Sequence, residues 1–433
     1  MSKAPKILVV SLGCPKNLTD TEHILAVLER SFGVLSFTQN PEEADIFLVN
    51  TCAFIERAVK ESIDSILELS YRKKDHQKLI VFGCLPLRYG SKLQGLLPEV
   101  DKFIFHVEPS LIANSILDYL GVKKGNIVND HDRIVTGSPW HVYVKISDGC
   151  PNRCTYCLIP RIRGDLRCRS PKSIIDEINI AVEKGAIEVT LVAQDLTTYK
   201  KDGVNLTGLV EKILKDTNVS WLRLMYMYPN GITDEILKLI RSEERICNYL
   251  DIPIQHASDK ILKRMGRKYS GVELEKTMEN IKRFLPEASL RTTVMVGFPG
   301  EEEKDFHILQ DFIQRWQFHH LGCFVYCDEE EIYSRRFDGK VDKEIGKQRK
   351  DQILSIQREI SLSINKTFVG RRLQVLVDGY CPESELLLCS RTKFQAPEVD
   401  GTTYINKGIS KPGALETIKI TEAFEYDLVG ELV

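Results

Sequence analysis

For most of its length the chain alternates short apolar, β-branched runs with segments of helical spacing. In residues 1–125 the runs KILVVSLGC (6–14), ADIFLVNTC (44–52) and KLIVFGC (78–84) have the unbroken apolar character of buried parallel strands. Between them, TDTEHILAVLER (19–30) opens on a polar cap. ERAVKESIDSILELSYRKK (56–74) repeats apolar residues at helical spacing. This alternation predicts a doubly wound parallel α/β domain over 1–125. A polar stretch rich in Gly and Asp, 121–139, reads as a linker.

A longer alternation follows. Strand runs at 141–147, 187–193, 221–228, 249–255, 291–298 and 321–326 are separated by helical segments near 171–184, 206–216, 232–243, 271–284 and 301–316. Six such units predict an incomplete (β/α)6 barrel within 136–365, where chemistry sits at the carboxyl ends of the strands. Residues 342–365 read as one long helix. Beyond 366 the apolar period switches to two, with four or five short strands, which predicts a small antiparallel β-barrel over 366–433.

Length and composition agree with this division. A chain of 433 residues fits about three domains. A net charge of −2 gives no global basic field for nonspecific nucleic-acid binding. No apolar run approaches the ~18 residues of a membrane span. The opening MSKAPKILVVSLGC lacks a small-residue cleavage pattern and reads as a first strand, so the expectation is a cytoplasmic protein with no membrane partner.

Twelve cysteines in a reducing compartment point to metals or catalysis rather than disulfides. Cys168, Cys247, Cys323, Cys327, Cys381 and Cys389 fit no pattern and are expected as small buried hydrophobes. The other six form two groups of three. Cys14, Cys52 and Cys84 each end a predicted strand of the parallel sheet, where ligands bind. Cys150, Cys154 and Cys157, in DGCPNRCTYC (148–157), have the spacing CxxxCxxC directly after the first barrel strand. Three thiolates hold three irons of a [4Fe–4S] cluster and leave the fourth open to a small molecule. Zinc is the alternative, and would need a fourth ligand such as His141, or a water.

CxxxCxxC with Tyr156 before its last Cys, at the head of a β/α barrel, resembles the radical S-adenosylmethionine enzymes. The resemblance implies that S-adenosylmethionine chelates the open iron and is cleaved to a 5′-deoxyadenosyl radical, with Tyr156 near the adenine. SLGCPKN, NTC, GC and GCPNRCTYCLIPRIRG, followed by a terminal β-barrel like the TRAM domain, resemble the methylthiotransferases over essentially the whole chain. In that family the N-terminal triad, here Cys14, Cys52 and Cys84, holds a second [4Fe–4S] cluster that carries the sulfur. An electron donor such as flavodoxin or ferredoxin is implied, and a monomer is expected. The branch that modifies an aspartate of small-subunit ribosomal protein twelve, free or on the ribosome, is favoured by SLGCPKNLTDTE (11–22), DIPIQHASDKILKRM (251–265), RTTVMVGFPGE (291–301) and EAFEYDLVGEL (422–432). The tRNA adenosine methylthiotransferases are the alternative.

Charge bears on that choice. Residues 366–433 carry eight Lys/Arg against ten Asp/Glu, unlike an RNA-binding face. Strand-end groups Gln194, Asp195, Arg223, Gln255 and His256 are candidate contacts for adenosine or methionine. The basic stretch holding Arg161, Arg163, Arg167 and Arg169 is a candidate to meet a carboxylate of cofactor or substrate. Cys168 and CDEEEIYS (327–334) depart from what the family leads one to expect at those places.

Overall fold

The three N-terminal apolar runs form neighbouring strands of one parallel sheet. In the computed structural model, which describes residues 5–125, 129–382 and 384–433, β1 (Lys6–Ser11), β2 (Ser36–Phe37), β3 (Ile46–Thr51), β4 (Lys78–Gly83) and β5 (Lys102–Phe103) lie in the order β2-β1-β3-β4-β5. Every pairing is parallel. β3 is buried at every position, so it needs no polar alternation. In this topology the strand order reverses between β1 and β3, and the crevice outside their carboxyl ends is where such sheets bind ligands. Cys14, Cys52 and Cys84 follow β1, β3 and β4 closely.

Helix α1 (Pro15–Phe32) begins four residues before the expected polar cap. Cys14 is its N-cap residue and Pro15 sits in its first turn, where a missing N–H is harmless. Residues 19–23 therefore lie inside the helix and are buried, polar as they are. Each finds a partner: Thr19 Oγ1 donates to Lys16 O at 2.8 Å, Asp20 pairs with Arg163, Thr21 Oγ1 meets Ser11 Oγ at 3.1 Å, Glu22 pairs with Arg133, and His23 Nδ1 meets the Asp132 carbonyl at 2.8 Å. Thr136 also donates its backbone N–H to Glu22 at 2.7 Å. The stretch read as a linker is thus docked on α1 through Arg133 and Thr136, while its residues 126–128 lie outside the described residues.

The chain divides into two compact units. The first is Met1–Thr136 with Asp148–Asn152 and Cys157–Arg167; the second is Gly137–Ser147, Arg153–Tyr156 and Cys168–Val433. In the second unit β6 (His141–Lys145), β7 (Glu188–Val192) and β8 (Trp221–Leu224) form one parallel sheet, ordered β8-β7-β6. β9 (Tyr249–Asp251), β10 (Ser289–Val296) and β11 (His320–Val325) form another, and a parallel bridge from Leu222 to Ile246 continues the run. Helices Pro171–Glu183, Leu206–Asp216, Asp234–Ser242, Gly271–Phe284 and Glu303–Trp316 alternate with these strands. This is the expected six-strand partial barrel.

The C-terminal strands β12 (Arg372–Cys381), β13 (Ser384–Thr392), β14 (Thr403–Lys407), β15 (Leu415–Ala423) and β16 (Leu428–Leu432) close into a barrel in the order β12-β13-β14-β16-β15. One pair, β14–β16, is parallel, so the barrel is not antiparallel throughout. Cys381 and Cys389 are joined across the β12–β13 hairpin as a disulfide, with Cα atoms 5.1 Å apart, and are not the separate buried thiols expected. The bulged register of this hairpin brings the two side chains together.

This small barrel packs on the amino-terminal ends of the partial-barrel strands. Glu188, the first residue of β7, takes Arg223 Nε on one carboxylate oxygen and Arg391 Nη1 on the other, both at 2.6 Å. Asp400 pairs with Arg291 and accepts the Tyr249 hydroxyl at 2.7 Å. Buried charges of this kind need direct pairing of opposite sign. The carboxyl ends of the strands are left for chemistry.

Candidate functional site

At the N-terminal crevice Gly13 sets the approach of two strand ends. Gly13 has φ +93°, and a Cβ there would lie 2.6 Å from Cys52 Cβ and 2.9 Å from Cys52 Sγ. Only glycine permits both the left-handed backbone and this contact. Ser62 of helix Glu56–Arg72 fixes the Cys52 backbone, accepting from its N–H at 3.1 Å and donating to its carbonyl at 2.7 Å. Cys84 opens the short helix Cys84–Tyr89. Asn17, fully buried, ties the strand ends together by donating from Nδ2 to Leu12 O at 2.9 Å and Thr51 O at 3.1 Å.

The three thiols lie within electrostatic reach of one another. Burial pushes the Cys52 thiol up to about 11, and nearby Cys84 and Cys14 add to the rise. Burial also raises Cys84, against the pull of Arg163. Cys52 and Cys84 thus resist ionising without a cation, and a metal cluster is what would hold them as thiolates. Among the described residues no three His, Cys, Asp or Glu side chains close on a single point as one bound ion requires; the grouping here is looser. Gly13→Ala is expected to cost at least about 2 kcal/mol, from left-handed strain and the clash with Cys52. It should also lower iron uptake at this crevice, as read by denaturation and iron analysis of the reconstituted chain.

Arg163 also faces this crevice. Only 5% exposed, it donates from Nη1 to Asp20 Oδ2 at 2.8 Å and from Nη2 to Asn17 Oδ1, with Cys84 Sγ 3.6 Å from Nη2. Of the basic stretch, Arg161 and Arg167 are exposed, and Arg169 pairs with Glu177 at 2.5 Å.

The second triad lies in the loop after β6. Asp148–Asn152 and Cys157–Arg167 fold with the first unit, and Arg153–Tyr156 with the second. Within the second unit, Thr155 is laid along the turn after helix Asp259–Arg264. Its N–H donates to Met265 O at 3.0 Å and its hydroxyl to Arg264 O at 2.8 Å. Ser334 N–H donates to Thr155 O at 2.9 Å, so CDEEEIYS supports the loop from its far end. Arg267 stands over the Tyr228 ring at 4.1 Å and donates from Nε to Tyr269 OH at 2.8 Å and from Nη2 to Pro253 O at 2.6 Å. Its Nη1 lies 3.8 Å from Cys154 Sγ and 3.4 Å from Tyr156 OH. The Tyr156 ring packs edge-on to Phe298.

Residues 144–313 match the Radical SAM superfamily, 369–433 the TRAM domain and 6–105 the family described as Uncharacterized protein family UPF0004. The Ribosomal protein uS12 methylthiotransferase RimO of Geotalea uraniireducens is 40% identical over 99% of this chain and 98% of its own length. Its namesake in Aquifex aeolicus is 40% identical over 98% and 96%. The chain belongs to the ribosomal protein uS12 methylthiotransferase family. Among solved structures, the radical S-adenosylmethionine methyltransferase TsrM of Kitasatospora setae shares the fold, with TM-score 0.56 at 13% identity over 75% of each chain. Membership of the radical SAM superfamily implies S-adenosylmethionine and a [4Fe–4S] cluster. No helix among the described residues is long and apolar enough to cross a membrane.

For a radical SAM methylthiotransferase, the expected strand-end contacts divide. Gln194 follows β7, and Gln255 bridges to Val294 with φ +68°, a left-handed backbone uncommon away from glycine and asparagine. Asp195 instead caps a turn, taking Thr197 N–H at 3.0 Å and Thr197 Oγ1 at 2.6 Å on Oδ1. Arg223 is corrected outright: fully buried, it binds Glu188 and Lys393 O and lies over Tyr249, in the contact with the C-terminal barrel.

His256 is likewise structural. It is fully buried, and Nδ1 accepts from Ser258 N–H at 3.0 Å. Burial lowers its pKa to about 3, with Asp305 opposing and Arg349 adding to the fall. An unfolded His titrates near 6.5, so the stabilisation present above that pH is lost as pH falls towards 3. Between pH 7 and 4.5 this is worth about 2 kcal/mol. Denaturation of the metal-free chain should show His256→Gln losing less stability than wild type over that range, by roughly this amount.

Sequence reasoning missed Arg267 and Asn17. Arg267 stands in GRKYS with no motif of its own, and only the tertiary fold brings it to Cys154. Asn17 stood within SLGCPKN, three residues from Cys14, and that nearness was the available signal.

Proposed function

We propose that this chain inserts a methylthio group at the β-carbon of an aspartate of ribosomal protein uS12, free or on the ribosome. In this reading Cys14, Cys52 and Cys84 hold an auxiliary [4Fe–4S] cluster, and Cys150, Cys154 and Cys157 hold the cluster that binds S-adenosylmethionine. When bound, these groups supply one-electron cleavage of the sulfonium, hydrogen abstraction and the sulfur to be transferred. The observation that carries the reading is the gathering of the first three thiols at the switch point of a parallel sheet, in a chain that carries a second triad. A single-cluster enzyme has no use for it.

The protein's own residues bind, orient and exclude water. Asn17 and Ser62 set the strand ends that present the first triad. Arg267 buttresses Cys154 and Tyr156, and Tyr156 with Phe298 walls off the second loop. Gln194 and Gln255, at the carboxyl ends of β7 and β9, contact the cofactor; Asp195 serves by holding the turn beside Gln194. A donor such as flavodoxin or ferredoxin supplies the electron, and the chain works as a monomer.

A protein substrate is favoured over tRNA by the C-terminal barrel. Its net charge is negative, and two of its cations are already engaged: Arg391 with Glu188, and Lys393 Nζ with Glu244 O at 2.7 Å. Mass spectrometry of uS12 and of tRNA from a strain lacking this gene tests the assignment. Loss of the methylthio group from the uS12 aspartate, with tRNA unchanged, is expected. Loss from tRNA alone would refute it.

A further inference from the structure

Arg163 comes six residues after Cys157, the last thiol of the second triad, yet its guanidinium is buried at the crevice of the first. A buried guanidinium is costly unless every arm is matched. Here the fork is fully directed. Nη1 meets Asp20 Oδ2 at 2.8 Å and Asp148 Oδ2 at 3.4 Å; Nη2 meets Asn17 Oδ1 and stands 3.6 Å from Cys84 Sγ. Asn17 is the same side chain that ties the ends of β1 and β3. Asp20 lies on α1, six residues after its N-cap, Cys14. Arg163 is thus aimed at Cys84 by residues that themselves build the crevice.

We propose that Arg163 is a positioning residue for the N-terminal cluster: it donates an N–H···S hydrogen bond to the Cys84 thiolate, with Asp20 and Asn17 fixing its fork, and so raises the cluster's reduction potential. This rests on the reading that Cys14, Cys52 and Cys84 hold a [4Fe–4S] cluster. Hydrogen bonds to ligand sulfur and nearby positive charge both favour the reduced, more negative cluster. Both are lost together if the guanidinium is removed. Asp20 and Asp148 would also lose the positive charge of this guanidinium, which drives the potential the same way. A lysine keeps the charge but not the planar fork that satisfies Asp20, Asn17 and Cys84 at once.

The test uses the full chain carrying Cys150→Ala, Cys154→Ala and Cys157→Ala, reconstituted anaerobically with iron and sulfide. Iron analysis of this parent should give about four irons. EPR-monitored potentiometry is then run on the parent and on the same chain with Arg163→Gln or Arg163→Lys. The expected result is a midpoint shifted to lower potential in Arg163→Gln and a smaller shift of the same sign in Arg163→Lys. An unchanged midpoint in the variants overturns the proposal, whatever happens to their melting temperatures, because a purely structural arginine would change stability alone. If Arg163→Gln does not fold, the Arg163→Lys midpoint decides by the same rule. Failure of both variants to fold or to load iron also overturns it, since Arg163 would then serve folding or assembly. A parent without iron overturns the cluster reading itself, and the hydrogen bond with it.

Discussion

Cys154→Ala is expected to abolish cleavage of S-adenosylmethionine and methylthio transfer while iron falls from about eight to about four per chain. The two triads share no ligand: Cys14, Cys52 and Cys84 are set by the parallel sheet, and Cys154 by the turn at Met265 and by Arg267. Removing one thiol from a three-thiol set leaves two, too few to retain the second cluster. The first crevice keeps all its supports, from Asn17, Ser62 and Gly13. Iron analysis and EPR of the reconstituted variant read both halves of the expectation. Iron near zero would mean that the sites are not independent.

Glu188→Ala should be the most destabilising single change outside the two sites, at about 3–5 kcal/mol. Its carboxylate is the shared counter-charge of Arg223 and Arg391, and all three residues are buried. The paired state holds the Glu188 carboxyl well below the usual range, despite the penalty of burial. Alanine leaves two guanidinium groups in a low-dielectric contact, with only Asp378 still on Arg391 at 2.9 Å. Glu188→Leu combined with Arg223→Met and Arg391→Met removes all the buried charge at this point and should recover most of the loss. Urea denaturation of the metal-free chain, followed by far-ultraviolet circular dichroism, compares the two. Equal loss in both variants would mean that packing, not charge, governs this contact.

Much of the architecture was legible because period and length sufficed. KILVVS, IFLVNT and KLIVFG are too apolar and too short for anything but buried strands, and each strand lies where its run predicts. The boundaries of α1 were not legible. Thr19 and Asp20 have the chemistry of a cap, but Pro15 can open a helix, and the charged and amide partners of the buried 19–23 face, among them Asn50, Arg133 and Arg163, are distant in sequence.

The same distinction explains the functional residues. The cysteines announce themselves by spacing and by strand ends. Arg223 did not announce its role, because a strand position alone does not tell which end of the barrel a long side chain reaches. The C-terminal barrel occupies that end, and a contact over roughly 170 residues of sequence leaves no local pattern. Arg163 was singled out for its charge, yet its partners are Asp20 and Asn17 of the first helix rather than a ligand's carboxylate.

Mössbauer spectroscopy of the anaerobically prepared full chain, with and without S-adenosylmethionine, bears most directly on the pair of three-thiol sites. The account predicts two [4Fe–4S] clusters, each with one iron unlike its other three, and a response to S-adenosylmethionine confined to one of them. A single cluster, or four equivalent irons in either, would contradict it.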